Sequence, residues 1–264
     1  MQFGYCLGLD FLQGDTELFN AVSEVGFDYV ELPLSALSVL QQNKLEELKK
    51  ALLVIPCRAC NLFFPSSISL VGSSMDVPGI RAYLAKMLPI AASLGAETLV
   101  FGNGGARKIP DDATRAGVWA NLRIIAELME EYAYQTGITI VIEPLNTAET
   151  NIINSFSEAV ELTKGLSHVA AMVDSYHVAM EKQNYNDVLK APERLVHLHT
   201  AFPIGRLVPA PGDDMTQYVD FVYAVKQIGY NGKLSVEGAL RGEDTVINEV
   251  AATLRVLRRM FLSA

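Results

Sequence analysis

Four short segments of this sequence end on groups that bind metal ions or move protons. They are Ile140-Val141-Ile142-Glu143, Ala171-Met172-Val173-Asp174, Val196-His197-Leu198-His199 and Leu234-Ser235-Val236-Glu237. Each reads as a strand with a reactive side chain at its C-terminal end. Side chains alternate across a strand. With Ile142, Val173, Leu198 and Val236 on one face, Glu143, Asp174, His199 and Glu237 share the other. Taken singly, an acidic residue just past a strand reads as a helix N-cap. Taken together, three carboxylates in one place repel and raise one another's pKa. A divalent cation removes that conflict. Three oxygen donors and one nitrogen, with no thiolate, suit Mn²⁺ first, then Mg²⁺ or Co²⁺, better than a structural zinc.

Positioning four such groups on one rim requires parallel strands in register. Strand patterns fall at 3–8, 28–32, 53–60, 97–101, 138–142, 168–173, 194–199 and 233–237. Helical patterns fall between them, at 16–25, 43–51, 77–94, 112–136, 155–165, 184–190, 215–228 and 243–262. Strands alternating with helices predict right-handed βαβ units and a parallel sheet. Eight units in this length predict a single (β/α)₈ TIM barrel over 1–264, with its chemistry at the C-terminal ends of the strands. Gly26, Gly95, Gly137 and Gly229 stand where a helix stops and a strand begins, as left-handed C-caps require. The structural alternative is a doubly wound open sheet, but the G-x-G-x-x-G fingerprint of its dinucleotide-binding form is absent.

Half of the 264 residues are hydrophobic and 19% are charged, which predicts a large buried core. The net charge of −9 opposes a nucleic-acid partner and an anionic membrane surface. No run reaches the roughly 18 apolar residues of a membrane span, and the first residues lack a secretory pattern. Cys6, Cys57 and Cys60 are odd in number, which predicts free thiols in a reducing, cytoplasmic setting. Cys57-x-x-Cys60 has redox or zinc spacing, yet it has no second pair and lies in an apolar run, so packing is expected there. A soluble homo-oligomer, dimer or tetramer, is the expected assembly.

Other polar residues stand near the same strand ends. Glu31 closes the second strand pattern and faces either the barrel mouth or the helices. Arg107, in the Gly-rich loop after strand four, has a guanidinium suited to clamping a carboxylate or phosphate. Glu149 is either a substrate or supporting group, or a solvated loop residue. His177 either bonds a substrate hydroxyl or caps a helix. His197 shares the barrel-facing side of His199 one layer deeper and is expected to be a core histidine. His168, at the start of strand six, is assigned no function.

The segments Glu143-Pro144-Leu145-Asn146-Thr147-Ala148-Glu149-Thr150-Asn151, Asp174-Ser175-Tyr176-His177, His197-Leu198-His199 and Gly229-Tyr230-Asn231-Gly232-Lys233-Leu234-Ser235-Val236-Glu237 resemble the xylose isomerase-like TIM-barrel superfamily of sugar isomerases and epimerases. Within it they are most similar to the ketose 3-epimerases of the D-tagatose and D-psicose type. The resemblance covers most of the chain and is strongest over 97–238. It implies one divalent metal ion on Glu143, Asp174, His199 and Glu237, with Glu143 and Glu237 as paired acid/bases. It implies substrate contacts from Glu149 and His177. An arginine six residues after the metal histidine binds substrate in that group; here position 205 is Gly, and Arg206 follows one place later. The loop Phe101-Gly102-Asn103-Gly104-Gly105-Ala106-Arg107 also departs from the known epimerases.

The reaction so implied is epimerisation or isomerisation of a small sugar through an enediolate. A metal on the carbonyl and neighbouring hydroxyl stabilises the enediolate while one glutamate removes the α-proton and the other returns it. A lyase or dehydratase acting on a polyhydroxy acid or inositol derivative uses the same ligands and is the alternative. The abasic-site endonucleases of the same superfamily need a multi-histidine zinc cluster and a basic surface, which four histidines and a charge of −9 oppose.

Overall fold

Apolar, β-branched runs bounded by glycine become eight strands in the computed structural model, which describes residues 1–262. They are β1 (Gln2–Cys6), β2 (Tyr29–Pro33), β3 (Cys57–Asn61), β4 (Thr98–Phe101), β5 (Thr139–Ile142), β6 (Val169–Asp174), β7 (Leu195–Thr200) and β8 (Lys233–Val236). All neighbours pair parallel in sequence order, and β1 pairs with β8 to close the barrel. The fold is the expected (β/α)₈ barrel. Gly26, Gly95, Gly137 and Gly229 all have positive φ, as their place between helix and strand demands.

Strand alternation divides the core into two shells. Ile140, Ile142, Val173, Leu198, Leu234 and Val236 pack outward against helices such as Val77–Ser93, Arg115–Thr136 and Val246–Leu262. Val100, Val141, Ala170 and Met172 form a separate cluster inside the barrel. The rest of the lumen is polar, with Tyr29, Glu31, Thr98, His197 and Ser235 all buried. A β-bulge between Val30 and Glu31 shifts the register of β2 against β3, and another between Ala171 and Met172 shifts β6 against β7.

The structure corrects the expected elements in two places. β3 begins at Cys57 rather than 53, because Leu53 and Val54 lie in the turn after the helix Gln42–Ala51, 86% and 71% exposed. The segment 184–190 forms a 3₁₀ helix, Tyr185–Lys190, and the α-helix after β6 is instead Ser175–Met180. Cys57 and Cys60 are free and buried with their sulfurs 4.0 Å apart, in keeping with a packing role. His168 bonds Glu130, whose carboxylate also accepts the N–H groups of Ser167, His168 and Val169 and so pins the start of β6 to the helix Arg115–Thr136. Among the described residues, no helix is long and apolar enough to cross a membrane.

Candidate active site

The C-terminal ends of β5 to β8 converge as the alternation requires. Register pairs Asp174 with His199, and His199 with Ser235. Glu143 follows the last residue of β5, and Glu237 follows the last residue of β8. One ligand atom from each of Glu143, Asp174, His199 and Glu237 lies within 4.8 Å of the others. His199 Nδ1 stands 3.4 Å from Glu143 Oε1 and 3.5 Å from Glu237 Oε2. Glu143 Oε1, Asp174 Oδ2 and His199 Nδ1 are buried and have no hydrogen-bond partner. Buried polar atoms are rarely left so. Three such atoms aimed at one another are the donor set that a hard divalent cation satisfies.

Asp174 fulfils both readings of an acidic residue past a strand. Its Oδ1 accepts from Tyr176 N–H and caps the helix Ser175–Met180, while Oδ2 faces the cluster. Gly102 lets Glu143 in: a Cβ there would lie 1.8 Å from Glu143 Oε2. Glu237 is held from two sides, by Asn61 Nδ2 at 3.0 Å on Oε1 and by Arg206 Nη2 at 2.5 Å on Oε2. Arg206 also approaches Asp174 and Glu149 at 3.5 Å and lies over the Tyr176 ring.

Charges so close perturb one another. Burial, then Glu143 and Glu237, pushes Asp174 up to about 7. Burial also raises Glu143. Burial acts in the same sense on Glu237, but His199 and Arg206 outweigh it and hold that carboxylate below its usual range. Burial, then Arg206, brings His177 down to about 3, so its imidazole is neutral. His177 Nδ1 accepts from the backbone N–H of Asn146 at 3.2 Å, which assigns the proton to Nε2. That Nε2–H has no partner and faces Asp174 Oδ2 at 3.6 Å.

Beneath the rim, Glu31 is fully buried. It accepts from His199 Nε2 and His197 Nε2, both at 2.9 Å, and from Ser235 Oγ at 2.5 Å. Despite burial, His199 and His197 hold its carboxyl far below the usual range. Burial opposes protonation of His199, yet Glu31 and Glu237 hold it well above the ordinary histidine value. With Nε2 donating to Glu31, Nδ1 is the nitrogen turned to the cluster.

Asn61, Gly102, Glu143, Glu149, Arg206 and Glu237 border a cavity of about 290 Å³ over this rim. The structure thus brings Glu143, Asp174, His199, Glu237, His177, Glu149 and Arg206 together. Two expected substrate contacts lie away from the cavity lining. Arg107 is fully buried and donates to the carbonyls of Phe101 and Glu143, so its guanidinium supports the rim from within. Burial pushes it down to about 10. Glu31 sits one layer below the mouth and bonds the two imidazoles. His197 is fully buried on Glu31, as expected of a core histidine. Asn61, Asn146 and Tyr176 escaped notice in the sequence. Asn61 ends β3 just as Asp174 ends β6, and that signal was available. A larger groove of about 490 Å³, flanked by Met215, Arg255 and Met260, lies elsewhere and is lined by no carboxylate or histidine.

A closed parallel barrel with an acidic, histidine-containing cluster at its C-terminal rim defines a TIM barrel with a candidate metal site. The chain belongs to the xylose isomerase-like TIM barrel family, whose sequence pattern it matches over residues 19–260. It is 28% identical over 254 residues to the D-psicose 3-epimerase of Enterocloster bolteae, covering 88% of this chain and 79% of that one. It is 24% identical over 242 residues to the 3-dehydro-D-guloside 4-epimerase of Escherichia coli, covering 86% and 88%. The structure of D-psicose 3-epimerase from Clostridium cellulolyticum H10 with D-tagatose superposes with a TM-score of 0.80 over 98% of this chain and 99% of that one. Its sequence identity is 23%, a likeness of fold.

Proposed function

We propose that this protein is a metal-dependent epimerase of a small ketose or related keto sugar, working as one domain over 1–264. The observation that carries the reading is the convergence of three partnerless buried donor atoms, on Glu143, Asp174 and His199, with Glu237 at the floor of a sugar-sized cavity. The epimerases among its relatives support the reaction class. Glu143, Asp174, His199 and Glu237 would hold one divalent ion, with Mn²⁺ favoured by the oxygen-rich set. When bound, that ion supplies Lewis-acid stabilisation of an enediolate.

The chain's own residues do the rest. Glu143 and Glu237 both border the cavity, each with a carboxylate oxygen near His199 Nδ1. One removes the proton beside the carbonyl, and the other returns a proton to the opposite face of the same carbon. Asn61 and Arg206 keep Glu237 ionised and aimed. His177, neutral with a free Nε2–H, would donate to a substrate oxygen. Glu149 and Arg206 form the side wall, with Asn146 Nδ2 behind it bonded to Glu149 at 3.1 Å.

Glu143→Gln and Glu237→Gln preserve size and one oxygen donor. Losing a general acid/base costs about 10²–10⁴ in rate. In deuterated water, the wild type should place solvent deuterium at the inverted carbon. Metal-loaded variants that retain wild-type turnover would reduce both glutamates to ligands and end the proton relay. An aldose product in place of an epimer would move the reaction to isomerisation.

A further inference from the structure

The reaction cavity does not end at the acid cluster. A second lobe of about 400 Å³ opens from it, sharing Leu62, Gly102 and Glu149 with the first and continuing past Phe64 to Gly104 and Gly105. Its walls are fixed. Asn103 Oδ1 accepts from Phe64 N–H at 3.1 Å, and Asn103 Nδ2 donates to Phe64 O at 3.0 Å, tying the loop after β3 to the loop after β4. The Phe64 ring packs edge-on against Phe101.

Glycine at 104 lets this loop pack closely on the loop after β5, and glycine at 105 leaves the space beside it open. A Cβ on Gly104 would meet Leu145 Cδ1 at 2.9 Å and the Glu149 carbonyl at 3.0 Å. A Cβ on Gly105 would project into open space, with nothing within 4 Å. Among the described residues, no lysine or arginine lines the lobe. The Arg107 guanidinium is turned inward to the Phe101 and Glu143 carbonyls, and that of Arg206, in the inner lobe, is engaged by Glu237 and Glu149. The charged group that faces both lobes is the Glu149 carboxylate. A phosphate in the outer lobe would face the Glu149 carboxylate, while Arg206, in the inner lobe, is already paired with Glu237 and Glu149. An uncharged, hydroxyl-rich substituent finds Ser66 and the backbone of the loop from Gly102 to Ala106.

Resting on the epimerase reading for the position of the reacting carbons, we infer that the outer lobe is a subsite for an uncharged glycosyl extension of the substrate. The reacting carbons lie between Glu143 and Glu237, so the extension is carried at the sugar's remote end. The protein's substrate is then a keto sugar bearing a second, unphosphorylated ring.

Calorimetric titration of the metal-loaded protein with a free ketose, the same ketose carrying a glycosyl group at its remote end, and its remote-end phosphate tests this. The glycosyl group should tighten binding at least tenfold in the wild type, and the phosphate should not. Gly105→Phe, which fills the lobe from a position with room for a side chain, should cancel that gain, with Gly105→Ala intermediate. The ratio of the two affinities is the readout, so a general loss of binding is separated from loss of the subsite. No gain from the glycosyl group, a larger gain from phosphate, or equal weakening of both sugars by Gly105→Phe would each overturn the inference. Turnover of the free ketose by the same preparation reports separately on the epimerase reading; its absence defeats that reading while the titrations still decide the subsite.

Discussion

Glu31 gives the sharpest test of how the rim is built. Its carboxylate lies in the lumen, 2.9 Å from both His197 Nε2 and His199 Nε2, with Ser235 Oγ as a third donor. A carboxylate can accept from all three. An amide cannot. In Glu31→Gln, the oxygen can serve one imidazole while the NH₂ confronts the other N–H. One histidine must then shift its proton to Nδ1 or lose its bond. If that histidine is His199, a proton points at Glu143 and Glu237, and the lone pair facing the cluster is gone. Loss of such an outer partner typically costs 10–100-fold in metal affinity. One buried donor left without a partner costs about 1–3 kcal/mol of stability. Glu31→Ala strands three donors and removes the charge paired with the imidazoles, so about 3–5 kcal/mol is expected.

The assay is a manganese titration of the two variants, with urea denaturation of the metal-free proteins alongside. Imidazole ¹⁵N spectra report which ring nitrogen of His199 is protonated. The expected result is a His199 protonated at Nε2 alone in the metal-loaded wild type and a weakened metal site in Glu31→Gln with little loss of fold. Wild-type manganese affinity in Glu31→Gln, with His199 still protonated at Nε2, would refute the orienting role. It would leave Glu31 as a buried charge with structural weight only.

Three further outcomes follow from the same geometry. The protein should bind one divalent ion per chain and gain about 2.7 kcal/mol of stability at a hundredfold excess over Kd; full activity in chelator with no ion by elemental analysis would remove the metal site. Burial works against ionisation of Glu130, but the His168 side chain and the backbone N–H groups of His168 and Ser167 hold its pKa below the ordinary value. Its contribution is therefore complete above the unfolded carboxylate pKa of about 4.3 and is lost as pH falls through the lower folded value. The stability gap between wild type and Glu130→Gln in urea should narrow from about pH 6 to about pH 3, and a constant gap would contradict this. Val219 and Tyr223 stand 57% and 63% exposed on the helix Thr216–Gln227, an apolar face suited to self-association; light scattering should give a mass above the 28.8 kDa of one chain, and a monomer at micromolar concentration would exclude the oligomer.

The barrel and the convergence of its four candidate rim ligands were legible in the sequence because each stands at the end of a short apolar run, where period-two alternation fixes its face. That reasoning fails where the period cannot be counted. Ser175–Met180 is a helix of six residues that starts directly after Asp174, too short to show a 3.6-residue pattern and without a loop to announce it. Leu53-Val54-Ile55 has the composition of a strand, but only Ile55 is buried; the other two are solvent-facing in a helix-ending turn. Apolar composition does not distinguish the two cases in a run of three.

Depth was the other quantity hidden from the sequence. The pattern over 28–32 leaves Glu31 near the end of a strand, where a carboxylate meets solvent and substrate. β2 runs on to Pro33, and those two residues place Glu31 a full layer lower. Arg107 misled in the opposite direction: guanidinium in a glycine-rich loop suggests an anion outside, whereas its partners are two carbonyls of the rim itself. The partners of Glu31 are equally non-local, since β2 and β7 are not neighbours and are separated in the barrel by β1 and β8. Local pattern tells which face His197 and His199 share. Only closure of the barrel brings a carboxylate across the lumen to meet them, and that contact turns a ring of four candidate ligands into a site whose histidine has a defined donor nitrogen.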